Sequence, residues 1–236
     1  MDKTHFNTFI LSSADKLYYY IYGILKHPEE SFETVSDTIL HSWEQRKKLS
    51  HTELTPVFKT ARDFAKKKLG QRINEIKADL EELKFSEDAI LSRFCMLTRE
   101  LSPIQSEIMC LRAVVRLTLD EISMVVDLGI NSVQSILASV RKEIRSKIHP
   151  LGNHTDYEEN EILKKYYSGI STIDEEEQLR LYFAREDMAK STEADCELFQ
   201  LFLEIGKAEM PAEYAKELRK RVYEVQNKGW LNRLFR

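Results

Sequence analysis

Apolar residues recur along this chain at intervals of three and four, the period of a helix that buries one face, and no stretch keeps the alternation of a half-buried strand. Phe6, Ile10, Leu17, Ile21 and Ile24 mark one face of a first helix. Pro28 opens a second, which carries Phe32, Val35, Ile39 and Trp43. After a polar loop from Glu44 to Thr55, a third runs from about Pro56 to Leu69. Residues 73–100 form a charged linker whose middle, NEIKADLEELKF, is helical by pattern. The expectation is an all-α chain that begins with a small bundle over residues 1–72.

Residues 101–148 carry the most specific pattern, two capped amphipathic helices separated by a tight turn, with a basic end. Ser102, Pro103 and Gln105 form a helix start, because the serine caps, proline suits the first turn and the glutamine closes a capping box. The stripe Ile104, Ile108, Leu111 and Val115 follows. Thr118 with Glu121 repeats the signal, Ile122, Val125 and Val126 form a short buried face, and Asp127-Leu128-Gly129 turns the chain. The next helix buries Val133, Leu137, Val140, Ile144 and Ile148. At about 100° per residue its opposite face shows Asn131, Ser135 and Lys142, flanked by Ser132, Gln134, Ser139 and Arg145. That arrangement is a helix-turn-helix with a face suited to a major groove. Gln134 can donate and accept at adenine, while Arg141, Lys142, Arg145, Arg112 and Arg116 suit phosphates.

The run His149-Pro150-Leu151-Gly152-Asn153 breaks the pattern. Helical periodicity returns from Asn160 to Ser168, stops at Gly169 and restarts after Thr172, where Glu175 completes a capping box. Leu198, Leu201, Phe202 and Ile205 mark another buried stripe. A last helix runs from Pro211 to about Asn227 and ends near Gly229, leaving Trp230, Leu231, Leu234 and Phe235 among basic residues. The domain boundaries that result are a bundle at 1–72, a linker at 73–100, a helix-turn-helix at 101–150 and a helical extension at 153–236.

Composition narrows the chemistry. With 236 residues, 42% hydrophobic and 31% charged, the chain reads as an ordinary soluble protein, long enough for one large or two to three small domains. Net charge is −4, but basic and acidic residues number 12 and 9 over 1–72, 4 and 7 over 73–100, 6 and 5 over 101–148, and 13 and 18 over 149–236. The two modules expected to face DNA are therefore positive, and the linker and extension negative. Cys95, Cys110 and Cys196 form no CxxC pair and the histidines offer no ligand spacing beside them, which points to a reducing cytoplasm without structural zinc. No apolar run approaches the roughly twenty residues of a membrane span. No phosphate loop, paired-carboxylate spacing or nucleophile signature is found, so no enzyme, cofactor or metal is expected. Asp174-Glu175-Glu176-Glu177 reads as a capped, dipole-favoured first helical turn rather than a cation site.

The stretch LSPIQSEIMCLRAVVRLTLDEISMVVDLGINSVQSILASVRKEIRSKI resembles the promoter-binding C-terminal region of extracytoplasmic-function sigma factors, without a gap. HPEESFETVSDTILHSWEQ is similar to the acidic helix by which those factors grip core RNA polymerase, with Trp43 in the place of their tryptophan. Two resemblances in the family's order imply an alternative sigma factor with a C-terminal extension. They imply polymerase contacts through the β′ clamp helices and the β flap, with Glu29, Glu30, Glu33, Ser36, Asp37 and Leu40 on the docking surface. They imply promoter DNA along Arg46, Lys47, Lys48, Lys59, Arg62 and Lys66, with Phe58 and Trp43 able to stack on bases but more simply read as core aromatics. The chain departs from the family where Glu33 replaces aspartate, Ser36 glutamine, Asp63 asparagine, Asp127 glycine, Gln134 lysine and Ser139 arginine.

The extension's EILKKYYSGISTIDEEEQLRLYF looks like the opening helices of small regulatory domains in bacterial membrane-associated and anti-sigma-like proteins. The expected partners are thus core polymerase and promoter DNA, with no small-molecule substrate. An anti-sigma factor, or the acidic extension acting within the chain, is the further candidate regulator. Two other classes stay open: a stand-alone helix-turn-helix regulator, and a degenerate sigma-like interaction protein without promoter recognition.

Overall fold

The computed structural model describes residues 1–50, 53–75, 100–148, 160–184 and 193–234. They are all-α, and no strand occurs among them. In chain order the helices are α1 (Lys3–Phe9), α2 (Ala14–Leu25), α3 (Pro28–Glu44), α4 (Thr55–Glu75), α5 (Pro103–Cys110) and α6 (Leu119–Val126). After these come α7 (Ile130–Ile148), α8 (Glu161–Tyr167), α9 (Ile173–Phe183), α10 (Glu193–Lys207) and α11 (Ala212–Leu234). No single described helix is long and apolar enough to cross a membrane. The chain divides into two compact units, one of residues Met1–Lys84 with Glu209–Arg236 and one of Phe85–Ala208. Residues 153–236, read above as one extension, are therefore shared between the two units.

In the first unit the opening stripe forms two helices instead of one. A 3-10 turn at Leu11–Ser13 separates α1 from α2, where the Ser13 hydroxyl donates to the Phe9 carbonyl at 3.0 Å and competes with the helical ladder. Asp2 caps α1 by accepting from the His5 amide at 2.9 Å. In α3 the buried hydroxyls of Thr34, Thr38 and Ser42 each donate to the carbonyl four residues back at 2.7 Å, which satisfies them inside the bundle. Trp43 packs its ring edge-on to Phe6 at 5.1 Å, and Phe58 lies against Tyr20 at 5.5 Å, so both are core aromatics. Helix α4 runs past Leu69 and Gly70 to Glu75, further than the pattern implied.

Helix α11 belongs to this bundle. Tyr214 stacks on Phe32 at 4.7 Å with ring planes 10° apart, and Leu218 and Val222 are buried. Just before it, the Tyr19 hydroxyl donates to the Glu209 carbonyl at 2.9 Å and the Met210 amide donates to Asp15 at 3.0 Å. The helix also continues through Gly229 to Leu234.

The second unit contains the helix-turn-helix. Both predicted capping boxes form, Ser102 with Gln105 and Thr118 with Glu121. The first apolar stripe leaves α5 as a wide π turn, Leu111–Val115, which ends on Arg116 at φ 69°. Asp127 takes the left-handed conformation at φ 56°, doing the turn's work in place of glycine. Helices α8, α9 and α10 complete this unit, with Tyr166 against Phe199 at 4.9 Å and Phe183 stacked on Phe199 at 5.1 Å. The third capping box, Thr172 with Glu175, starts α9 as expected. The breaker at 149–153, and the helix in NEIKADLEELKF past residue 75, lie outside the described residues.

Candidate functional site

The helical period places Arg141 and Arg145 one turn apart on α7, at the margin of the stripe Leu137, Val140 and Ile144. Arg112 comes from the π turn. All three side chains are buried, which requires partners that neutralise and hydrogen-bond them. Glu176 of α9 supplies the first. Its Oε1 accepts from Arg112 Nε at 2.9 Å, Arg141 at 2.7 Å and the Ser171 hydroxyl at 2.6 Å. Arg112 spends its other nitrogens on the carbonyls of Leu117 at 2.8 Å and Ser171 at 2.6 Å, and Arg141 donates to the Tyr166 carbonyl at 2.7 Å. Asp195 of α10 is the second acid. It takes Arg145 in a two-pronged pair at 3.2 and 3.3 Å and also accepts from the Tyr167 hydroxyl.

Aromatic faces line the same contact. The Arg141 guanidinium lies 3.8 Å from the centre of the Tyr166 ring, and that of Arg145 5.6 Å from Tyr167. Arg180 of α9 donates to the Ala113 carbonyl at 2.8 Å. Next to it a half-exposed pair, Arg116 with Glu177 at 2.8 Å, continues the contact outward. The turn between α8 and α9 also approaches α7 closely. A Cβ on Gly169 would stand 2.2 Å from the Gln134 carbonyl oxygen and 3.2 Å from the Ala138 nitrogen, and φ is +75° there.

Burial by itself would raise the Glu176 carboxyl, but the charges of Arg141 and Arg112 and the hydrogen bonds from Ser171 and Arg112 outweigh it and hold the group below its ordinary value of 4.5. A depressed carboxyl contributes stability that is complete above the unfolded value and is lost as pH falls through the folded one. The second unit should therefore lose resistance to urea as pH drops below 4.5. Subtracting the profile of Glu176→Gln from that of wild type isolates this group's share. Burial pushes the Tyr167 hydroxyl well above its ordinary value, and Asp195 adds to the effect.

The first unit has a smaller counterpart. Arg221 of α11 donates to both oxygens of Glu33 at 2.9 and 3.0 Å and to the Ser36 hydroxyl at 3.2 Å, with its guanidinium 4.9 Å from the Phe32 ring centre. Hydrogen bonding to Arg221 lowers the Glu33 carboxyl.

These contacts correct part of the expected site. Arg112, Arg141 and Arg145 are buried against acids and are not turned toward phosphates. Arg62 is buried in the bundle, and Arg46 lies over the Trp43 ring at 3.9 Å while donating to the Trp43 carbonyl. Glu33 and Ser36, expected to meet polymerase, are engaged by Arg221 because α11 packs on that side of α3. Lys47, Lys48, Lys66, Asn131, Ser132, Ser135, Ser139, Lys142, Glu29 and Asp37 are exposed. Lys59, Gln134, Arg116, Glu30 and Leu40 are half-buried.

What pattern reading missed is the acid side of the contact, Glu176 and Asp195, together with Tyr166, Tyr167, Ser171, Arg221 and Tyr214. A signal for both acids was present. Glu176 stands three and seven residues before Leu179 and Phe183, and Asp195 three, four and seven before Leu198, Phe199 and Phe202. Each acid thus lies on the apolar stripe of its own helix, where a solvated charge does not belong.

Residues 160–217 match the family described as anti-sigma factor, N-terminal domain. No significant match to a curated protein or to a solved structure accompanies it. The matched segment comprises α8, α9, α10 and the start of α11, and so includes Glu176, Asp195 and Tyr214. The match points to an anti-sigma factor and overturns the expectation of an alternative sigma factor. Promoter recognition and a DNA-binding role fall with it, and it lends no support to core polymerase and promoter DNA as partners. The match also lends no support to a stand-alone helix-turn-helix regulator or a degenerate sigma-like protein. The partner it implies is a sigma factor.

Proposed function

We propose that this chain is a regulator of the anti-sigma type, which binds a sigma factor through residues 160–217 and withholds it from transcription in the cytoplasm. One observation carries the reading: the stretch matched by the anti-sigma family is the one that bears the acidic and aromatic groups, Glu176, Asp195, Tyr166 and Tyr167. Such groups suit a helical protein partner that presents arginines. Binding of this kind requires no covalent chemistry and no cofactor.

The test is complex formation by the full chain with each purified sigma factor encoded in the source genome, followed by size-exclusion chromatography. A stoichiometric complex with at least one of them is expected. If none is retained by wild type or by variants weakened at the arginine contacts, the reading fails.

A further inference from the structure

Glu176 and Asp195 belong to the segment matched by the anti-sigma family, but the arginines they hold come from residues 101–148, outside it. An acid on an apolar stripe is tolerated only where a cation meets it. The face of α8–α10 is accordingly built to receive arginines, two from one helix four residues apart and a third from a neighbouring turn. Tyr166 and Tyr167 lie against the first two, and the Gly169 turn lets the receiving face settle onto the arginine-bearing helix without a Cβ between them.

We propose that this acidic, aromatic face is the partner-binding surface of the segment, and that the chain's own α7 occupies it as an internal competitor. The external ligand is a sigma-factor helix with arginines at i and i+4. The proposal rests on the reading of residues 160–217 as sigma-binding. A tethered competitor acts at an effective concentration in the millimolar range, so the free chain is mostly closed and its apparent affinity is reduced by the open fraction.

The two sides of one bond then have different consequences. Arg145→Gln removes one of the competitor's three arginine anchors and leaves the receiving face intact, so it raises the open fraction and should tighten sigma binding by about tenfold, as expected for an open state populated at a tenth or less in wild type. Asp195→Asn takes the same contact from the internal competitor and from the sigma helix alike, so the two losses offset and the apparent affinity should stay within about threefold of wild type. A contact that merely holds the second unit together would move both variants the same way.

The experiment titrates full-length wild type, Arg145→Gln and Asp195→Asn with each purified sigma factor of the source genome, with helix content checked by circular dichroism. Hydrogen exchange is then measured on wild type with and without the sigma factor that binds. Tightening by Arg145→Gln with Asp195→Asn close to wild type is expected, together with faster exchange in Ile130–Ile148 when the sigma factor is bound. Equal shifts of the two variants, no tightening by Arg145→Gln, or unchanged exchange in that helix would overturn the proposal. If Arg145→Gln does not fold, exchange on wild type decides. Failure of all three chains to bind any sigma factor would instead remove the anti-sigma reading, and this proposal with it.

Discussion

Replacing Glu176 with glutamine should destabilise the second unit by about 3–5 kcal/mol, the cost of breaking a buried ion pair by removing one partner. The effect is large because one oxygen serves Arg112, Arg141 and Ser171 together, and the two guanidinium groups left behind have no access to water. Glu175→Gln is the matching control. Glu175 caps α9 and pairs with Lys165 near the surface, so its charge contributes about 1 kcal/mol or less. Urea unfolding of both variants, followed by far-ultraviolet circular dichroism, separates them. Equal losses would mean that Glu176 is not the centre of the contact.

Gly169→Ala should be nearly as damaging, at about 3 kcal/mol or more. Two costs combine: a left-handed backbone that alanine resists, and a methyl group driven against the backbone of α7, 2.2 Å from a carbonyl oxygen that cannot rotate away. The turn between α8 and α9 would have to lift off that helix. Gly129 provides the contrast, since a Cβ there meets nothing within 4 Å and Gly129→Ala should leave the unit within about 1 kcal/mol of wild type. Faster hydrogen exchange in Glu161–Tyr167 and Ile130–Ile148 of Gly169→Ala, but not of Gly129→Ala, would confirm where the strain acts.

The elements were legible in the chain because their signals are local. All three capping boxes follow from side chains that bond to backbone groups within a few residues, and the turn at Asp127 from a left-handed backbone that aspartate tolerates. The contact between α7 and α8–α10 was not legible, because its partners lie 25–50 residues apart. Arg141 and Arg145 sit beside a buried stripe, and period alone assigns an arginine there to solvent or to phosphate. Only the acids of α9 and α10 decide otherwise.

Gly169 was read as a helix stop, which it is, but nothing local announced that another helix's backbone lies against it. The bundle shows the same limit in a useful form. Two positions at which the acidic helix departs from the sigma-factor pattern, Glu33 and Ser36, are the two that receive Arg221. These departures are accounted for by a helix nearly two hundred residues downstream. A resemblance carried by residues 27–45 and 101–148 was a sound guide to helices and a poor guide to what their faces touch.

The most direct measurement is run-off transcription from a promoter served by the sigma factor that the chain binds, with wild type, Arg145→Gln and Asp195→Asn added in increasing amounts to sigma factor before core polymerase. The account predicts that transcript falls as each chain is added, with half-loss at the lowest concentration for Arg145→Gln and at similar, higher concentrations for wild type and Asp195→Asn. Transcription that stays unchanged at every promoter, with all three chains in excess over the sigma factor, would contradict it.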